Sequence, residues 1–477
     1  MNKNFRFYGK YILGILAFGL VSLSFSCTKE DSPSDGREEV AASVKLTNEF
    51  VLKYSKAYYL WNDNVSYENK DPRYIEDPFE LFDSLIYEEL DQWSYLTDDS
   101  EAMFNSYEGV ETTYGYNLVL GKFSNSEAYF AVVQFVYPDS PAEKAGIKRG
   151  DIILKIDGAD ISDSNYRNLY YSSNIQLQLG EYSAADKTIF LSETKISMSA
   201  VKMVIDAVNT YKVIESWGHK VGYICYTDYV PASHAKLAEV CTEFKNAGVT
   251  DVVLDLRYNP GGAVASAQYL SSLFVPEHNM LDEDIFLNEI WNEQMTKYWK
   301  GEGEELTTRF TKSVMPYNLN LERIYILTTS GTASASESTI VGLSPYMDVI
   351  TIGGRTHGKY CGAMLLQPLD KNGKVISSIK NWAMSLVVYK FANNDNYTDF
   401  KGGLLPDYEV EDDLIGAVYP FGDVNDPHLA KALELITGIK SSPTKVSEDN
   451  ADVCAFEILK KETRQLNGRR GGYLKKL

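Results

Sequence analysis

Between residues 221 and 352 short apolar runs alternate with helical periods, and this alternation constrains the fold more than any other feature. Val221–Tyr226, Val252–Leu256, Ile324–Thr328 and Val349–Ile352 read as strands. Ala232–Ala247, Ala263–Phe274 and Ser336–Leu343 read as helices. Strands separated by helices argue a layered α/β core. The polar stretch His278–Lys312 interrupts the pattern and is expected to be a loop or lid between two core units.

The turn after the third strand is built of small residues: Thr329-Ser330-Gly331-Thr332-Ala333-Ser334-Ala335-Ser336-Glu337. Such residues let the backbone bend sharply and let another group approach. A serine at a helix N-terminus sits beside free N–H groups and partial positive charge, which favour a developing anion. Serines also simply cap helices, so capping is the plain alternative. Three further motifs accompany this turn. Thr356-His357-Gly358-Lys359 follows the next strand, Leu254-Asp255-Leu256-Arg257-Tyr258-Asn259-Pro260-Gly261-Gly262 precedes the turn, and Gly402-Gly403-Leu404-Leu405-Pro406-Asp407 comes last.

Together and in this order, the four motifs resemble the C-terminal processing peptidase (tail-specific protease) family. In that family the lysine lies 25 residues after the serine, which here selects Ser334 with Lys359 and passes over Ser330, Ser336 and Ser338. The resemblance implies that Ser334 is the nucleophile and that Lys359 is the base and then the acid. It also implies that the oxyanion is held by the N–H of Ala335 and by one from Gly261 or Gly262, where glycine lets the backbone approach the substrate. An ordinary lysine, with a pKa near 10.4, is protonated at neutral pH, and burial lowers that value by up to ~3–5 pH units. One position departs from the family. Common bacterial members place a glutamine four residues after the lysine, where this chain has Ala363. Gln367 shares the strand face of Lys359, but eight residues at ~3.3 Å each put it out of reach.

Residues 107–200 resemble a PDZ domain. A short helix at Ala142–Ala145 ends at Gly146, a strand covers Ile152–Ile156, and Asp157-Gly158 makes a hairpin turn. Tyr114-Gly115-Tyr116-Asn117 resembles the carboxylate-binding loop of such domains, which would hold a peptide's C-terminal carboxylate while the peptide adds as a strand. Residues 43–106 read as a helical N-terminal domain, with helices over Asn48–Leu60 and Pro78–Leu90. The core extends from 201 to 438, and the tail 439–477 is expected to hold one helix, Cys454–Leu466.

The first 26 residues resemble a lipoprotein signal peptide. Lys3, Arg6 and Lys10 precede an apolar run, Tyr11–Phe25, that is short of the ~20 residues a spanning helix needs. Cys27 then stands where a lipidated cysteine would, followed by a flexible tether to residue 42. Thr28-Lys29-Glu30-Asp31 resembles the export signal of some Bacteroidetes lipoproteins. The expected location is therefore the bacterial outer membrane, lipid-anchored and open to surface exposure. Cys225, Cys241, Cys361 and Cys454 have no metal-binding spacing and are expected to be buried thiols. A net charge of −20 argues against a nucleic-acid partner.

Other chemistries fit less well. Gly353–Lys359 has the G-x-x-x-x-G-K spacing of a phosphate-binding loop, but Tyr360 stands where such a loop needs Ser or Thr. A Ser-His enzyme finds no matching histidine motif, and His357 is expected to line the turn. The expectation is a multidomain α/β protein with a crotonase/Clp-protease-like core, a PDZ domain and a helical N-terminal domain. Its expected activity is that of a serine endopeptidase acting on protein or peptide substrates with free, disordered C-termini. No metal, nucleotide or other cofactor is implied. The alternative is a catalytically weak or inactive surface lipoprotein that binds peptides through its PDZ domain.

Overall fold

The computed structural model describes residues 38–124, 126–439 and 456–462, so Cys27 and Cys454 lie outside the described residues. The chain divides into two compact units. The larger holds residues 105–290, 304–362 and 390–477, and carries both the PDZ-like sheet and the α/β core.

The PDZ-like sheet contains strands β1 (Tyr116–Phe123) and β2 (Tyr129–Val136), then helix α1 (Pro141–Lys144) and strand β3 (Ile152–Ile156). Helix α2 (Asn168–Tyr171) and strands β4 (Asn174–Ser183) and β5 (Thr188–Ser199) follow. Local chemistry accounts for the turns. Ser140 caps α1 by accepting from the Glu143 N–H at 3.2 Å, with Pro141 at the first helical position. Asp157 and Gly158 both have positive φ, 50° and 82°, as the expected two-residue hairpin requires. Leu118, Leu120, Ala131, Val133, Ile153 and Leu177 form one buried face.

The core follows. β6 (Val208–Ser216) pairs antiparallel with β7 (His219–Tyr226). Helix α3 (His234–Ala247) leads to β8 (Asp251–Asp255), and α4 (Val264–Phe274) lies beyond it. β9 (Arg323–Thr328), α5 (Ala335–Leu343), β10 (Asp348–Gly353), β11 (Tyr408–Glu409) and α6 (Pro427–Thr437) complete the layers. The sheet order is β6-β7-β8-β9-β10-β11, parallel from β7 onward. In register, Leu254 faces Ile326 and Ile326 faces Thr351. Every residue of β8 and nearly all of β9 are buried, as expected for parallel strands covered on both faces. Adjacent parallel strands end side by side, so the turns after β8, β9 and β10 meet at one edge, the usual ligand edge of such sheets.

The described part of the smaller unit is assembled from residues 38–104, 291–303 and 363–389. The N-terminal helices are therefore not a self-contained segment. Tyr95–Thr97 pairs antiparallel with Ala383–Ser385. Asn292 caps the helix Glu293–Gly301 through the Met295 N–H (2.7 Å), and its amide donates to the carbonyls of Ala57 and Tyr59. The first helix, Ala42–Tyr58, starts six residues before the expected Asn48 and ends two before Leu60. The second stops at Asp83 rather than Leu90, and a run of tight turns follows it.

Two other expectations change. His278–Lys312 is not a loop: it contains the helix Glu277–Leu281, the strand Ile285–Trp291, the helix Glu293–Gly301 and the strand Thr307–Arg309. The predicted tail helix is instead a strand, β12 (Phe456–Glu462), antiparallel to β1. Its apolar residues have helical spacing, but they find apolar partners on the PDZ-like sheet, and that tertiary contact outweighs local propensity.

Candidate active site

After β9 the chain bends through 329–334 and enters α5 with Ser334 at its N-cap. Ser334 has φ 56° and ψ −110°, a region that a residue with a Cβ seldom occupies and that costs roughly 1–3 kcal/mol. The surroundings hold it there. The Ala333 N–H donates to the Asn259 carbonyl (3.1 Å), and the Thr332 hydroxyl donates to the Leu256 carbonyl (2.8 Å). The other serines of the run are placed differently. Ser336 and Ser338 are buried, with hydroxyls donated to the carbonyls of Asn259 and Ala335, and Ser330 is exposed in the preceding loop. Only Ser334 combines the strained backbone, the helix cap and partial exposure.

Glu337 joins the serine turn to the lysine turn. It is fully buried, and its carboxylate accepts four hydrogen bonds. Oε2 takes the N–H of Ser334 and the N–H of Lys359, each at 2.8 Å. Oε1 takes the Thr356 hydroxyl and the Gly358 N–H, each at 2.6 Å. The amides of Ser334 and Lys359 therefore stand no more than twice 2.8 Å apart. Burial pushes the Glu337 carboxyl above its ordinary pKa, and the four donors pull it back toward the ionised form. Sequence reasoning assigned this residue no role. The signal was present: Ser334-Ala335-Ser336-Glu337 has the spacing of a capping box.

The glycine turn after β8 packs directly behind the serine. A Cβ at Gly261 would lie 2.8 Å from the Ala335 nitrogen and from the Ser334 Cβ. A Cβ at Gly262, where φ is 142°, would lie 2.3 Å from the Tyr229 carbonyl oxygen. The two glycines differ in what their N–H groups do. Gly261 donates to the Asn259 side-chain oxygen at 2.9 Å. Among the described residues, the N–H groups of Gly262 and Ala335 donate to no acceptor. Of the two glycines, Gly262 is therefore the one whose N–H remains open to an acceptor. Asn259 is buried and organises the whole corner, since its amide also donates to the Tyr226 carbonyl (2.9 Å).

A charge network underlies this turn. Arg257 is buried and doubly bonded to Asp255 (3.0 and 2.7 Å), and it reaches Asp426 at 2.9 Å. Burial alone would raise the Asp426 carboxyl, but the charges of Arg257 and His428 hold it well below the usual carboxylate range. Arg149, between β2 and β3, stacks on Tyr258 and Phe421 with its guanidinium carbon 5.0 and 4.9 Å from the ring centres. It also bonds Asp412 (3.5 Å), which accepts from the Tyr258 hydroxyl (2.6 Å). The PDZ-like sheet is thus tied to the turn that carries Gly262.

The fourth motif closes the site from the far side. The Leu404 N–H donates to the Thr356 hydroxyl (2.7 Å), and Asp407 accepts from the Thr351 N–H (2.8 Å). A Cβ at Gly358 would meet the Lys401 carbonyl at 2.5 Å, so only glycine fits between the two turns. The His357 N–H donates to the Thr332 carbonyl (3.0 Å), so His357 lines the turn. Its ring is pushed below the ordinary histidine value by burial and then by the Lys359 charge.

At the PDZ-like loop, Tyr114, Tyr116 and Asn117 are buried, and the Gly115 N–H donates to the Thr113 hydroxyl (3.0 Å). The loop stands where expected, at the start of β1, but most of it serves packing. Of the cysteines, Cys225, Cys241 and Cys361 are buried. Burial pushes the Cys241 thiol up to about 12.

The structure therefore joins a parallel α/β sheet, with a serine at a helix N-cap beside its strand ends, to a PDZ-like sheet. Residues 220–410 match peptidase family S41, residues 132–170 match the PDZ domain, and residues 47–95 match the peptidase S41 N-terminal domain. Residues 220–410 are thus a peptidase S41 module with a PDZ domain before it, and the similar carboxyl-terminal-processing proteases support a peptidase of that type. It is 26% identical over 310 residues to the carboxyl-terminal-processing protease of Synechocystis, covering 63% of each chain. It is 26% identical over 317 residues to the enzyme of that name in Picosynechococcus, covering 66% of this chain and 68% of the relative. The chain thus spans just under two thirds of the Synechocystis relative's length. A crystal structure of a Bacteroides fragilis protein assigned to S41 superposes with a TM-score of 0.66 at 26% identity, over 82% of this chain and 98% of that one.

Proposed function

We propose that this chain is a serine endopeptidase of the C-terminal processing type, with Ser334 as nucleophile and Lys359 as general base. The observation that carries the reading is the shared carboxylate: Glu337 bonds the amides of both residues, next to two unused N–H groups. Lys359, in its neutral amine form, takes the Ser334 hydroxyl proton as the oxygen attacks a peptide carbonyl. The N–H groups of Ala335 and Gly262 receive the oxyanion, and the lysine returns its proton to the leaving amine. Water then releases the acyl group by the same steps. Substrates are extended, unstructured C-terminal regions, because a folded segment neither lies across the Ser334 turn nor pairs along a sheet edge. The same reading includes lipid attachment at Cys27 and a location at the outer membrane.

The test uses an unstructured protein substrate. Ser334→Ala and Lys359→Ala should each abolish cleavage while thermal unfolding stays nearly unchanged, and a serine-reactive phosphonate should label wild type but not Ser334→Ala. Full cleavage by Ser334→Ala sinks the assignment. Binding without cleavage in wild type favours the alternative of an inactive peptide-binding protein, for which Ala363 in place of the family's glutamine is the supporting observation. Labelled palmitate should enter the wild type and not Cys27→Ala.

A further inference from the structure

The PDZ-like sheet has the order β12-β1-β2-β3-β4-β5, so β1 has β2 on one side and β12 on the other. Without β12, β1 would be an edge strand with a row of unpaired backbone groups. β12 runs antiparallel to β1, with Phe456 opposite Phe123, Glu457 opposite Lys122, Ile458 opposite Gly121 and, after a register shift, Glu462 opposite Val119. It therefore runs toward the Tyr114–Asn117 loop at the start of β1. That is the direction a peptide takes when it adds to such an edge with its C-terminus leading.

Both faces of β12 are anchored. Phe456 meets Phe130 edge-on, with ring centres 5.5 Å apart, and lies 6.2 Å from Tyr182. Its seat exists because Gly121 has no side chain: a Cβ there would fall 2.1 Å from the Phe130 ring. Leu459 packs against the domain core, as does Tyr170 of α2. Glu457, between them, is exposed. An aromatic residue on one face and an aliphatic residue three positions later on the other, as strand alternation places them, make a recognition pattern.

We propose that β12 is a resident ligand in cis for the strand-addition edge of this domain, and that substrate tails enter by displacing it. The inference rests on the reading that this edge recruits substrate, and it names the chemistry recruited: an extended peptide with an aromatic residue followed three positions later by an aliphatic one. One edge holds one strand, so β12 and a substrate exclude each other. A tethered strand acts at an effective concentration in the millimolar range. With an intrinsic affinity of β12 for the edge on the order of 100 µM, that competition weakens the apparent binding of a free peptide by about tenfold.

The experiment measures binding without cleavage, in full-length Ser334→Ala protein. The probe is a fluorescent peptide of residues 455–463, followed by anisotropy. Peptide affinity should rise about tenfold in a Phe456→Asp, Leu459→Asp variant, whose own β12 has lost both anchors. Ile458→Pro, which breaks the ladder while keeping both anchors, should raise affinity in the same direction, and unchanged melting temperatures show that both variants fold. A peptide carrying the same two aspartates should not bind. Equal affinity of the folded variants and the parent, or no binding to the variants at all, overturns the proposal. Loss of peptidase activity would leave this readout untouched, so failure of the catalytic reading and failure of this one are separable. In an active enzyme the released edge should lower KM for tail substrates while kcat holds.

Discussion

The Ser334 corner, proposed above as the catalytic corner, and the PDZ-like loop both sit at the end of a strand, yet the chain treats them in opposite ways. At the catalytic corner, buried polar groups are bonded almost throughout: Glu337 has four donors, Asn259 links three segments, and Arg257 is clamped by two carboxylates. Two N–H groups there, those of Gly262 and Ala335, are left open among the described residues. At the PDZ-like loop the Gly115 N–H is already used, and the adjoining edge is covered by the chain's own strand. Preorganised donors favour chemistry, because no reorganisation is needed as charge develops. A covered, exchangeable edge favours selection. Rigidity belongs to the step that makes and breaks bonds, and exchange to the step that admits a substrate.

The sharpest way to break this comparison is to loosen the catalytic corner. Glu337→Gln keeps the shape but puts an amide N–H₂ where backbone donors now point. Each charge-assisted bond contributes about 1.5–3 kcal/mol, so losing the two at Oε2 should lower kcat/KM by roughly 10²–10⁴. Steady-state cleavage of a peptide checks it; an unchanged rate would mean that the shared carboxylate does not position the pair.

Next comes the network beneath the turn. Arg257→Met leaves Asp255 and Asp426 buried without their partner and should destabilise the larger unit by about 3–5 kcal/mol in urea unfolding. The loss should depend on pH with a definite sign. The Asp426 carboxyl is held below its unfolded value, so its contribution is present above about pH 4 and fades as pH falls through the lower folded value. The gap between wild type and variant should therefore narrow in acid.

A glycine pair sharpens the contrast further. Gly262→Ala drives a Cβ to 2.3 Å from the Tyr229 oxygen and should cost both activity and stability. Gly146→Ala, also at positive φ (86°) but with nothing within 4 Å, should cost only about 1 kcal/mol and leave cleavage unchanged. Similar losses at both sites would mean that backbone conformation, not the close approach, governs Gly262.

The smallest effect concerns His234, stacked on Tyr269 with ring centres 4.1 Å apart and bonded to Ser266 (2.9 Å). Burial lowers its pKa to about 4. The unfolded chain then binds the extra proton between about pH 6.5 and 4, so stability falls as pH drops through that window. His234→Gln should flatten this slope in melting temperatures measured from pH 7 to 4.

The chain's own sequence determined what local patterns can determine. Alternating strand and helix periods placed the core elements within a few residues, and glycines at positive φ marked the hairpin at Asp157-Gly158. The resemblance to the C-terminal processing family, not local pattern, singled out Ser334 and Lys359, which the fold then brings to neighbouring turns. The local signals are legible because each depends on a single stretch of backbone. The tertiary structure alone decided the rest. It distinguished Gly261 from Gly262, since the Gly261 N–H donates to the Asn259 side chain, and it joined Glu337 to residues about twenty positions away. It also built the smaller unit from three distant segments and turned the tail's helical pattern into a strand against β1. Buried polar groups and sheet edges must find partners, and which partners they find depends on what the fold brings near.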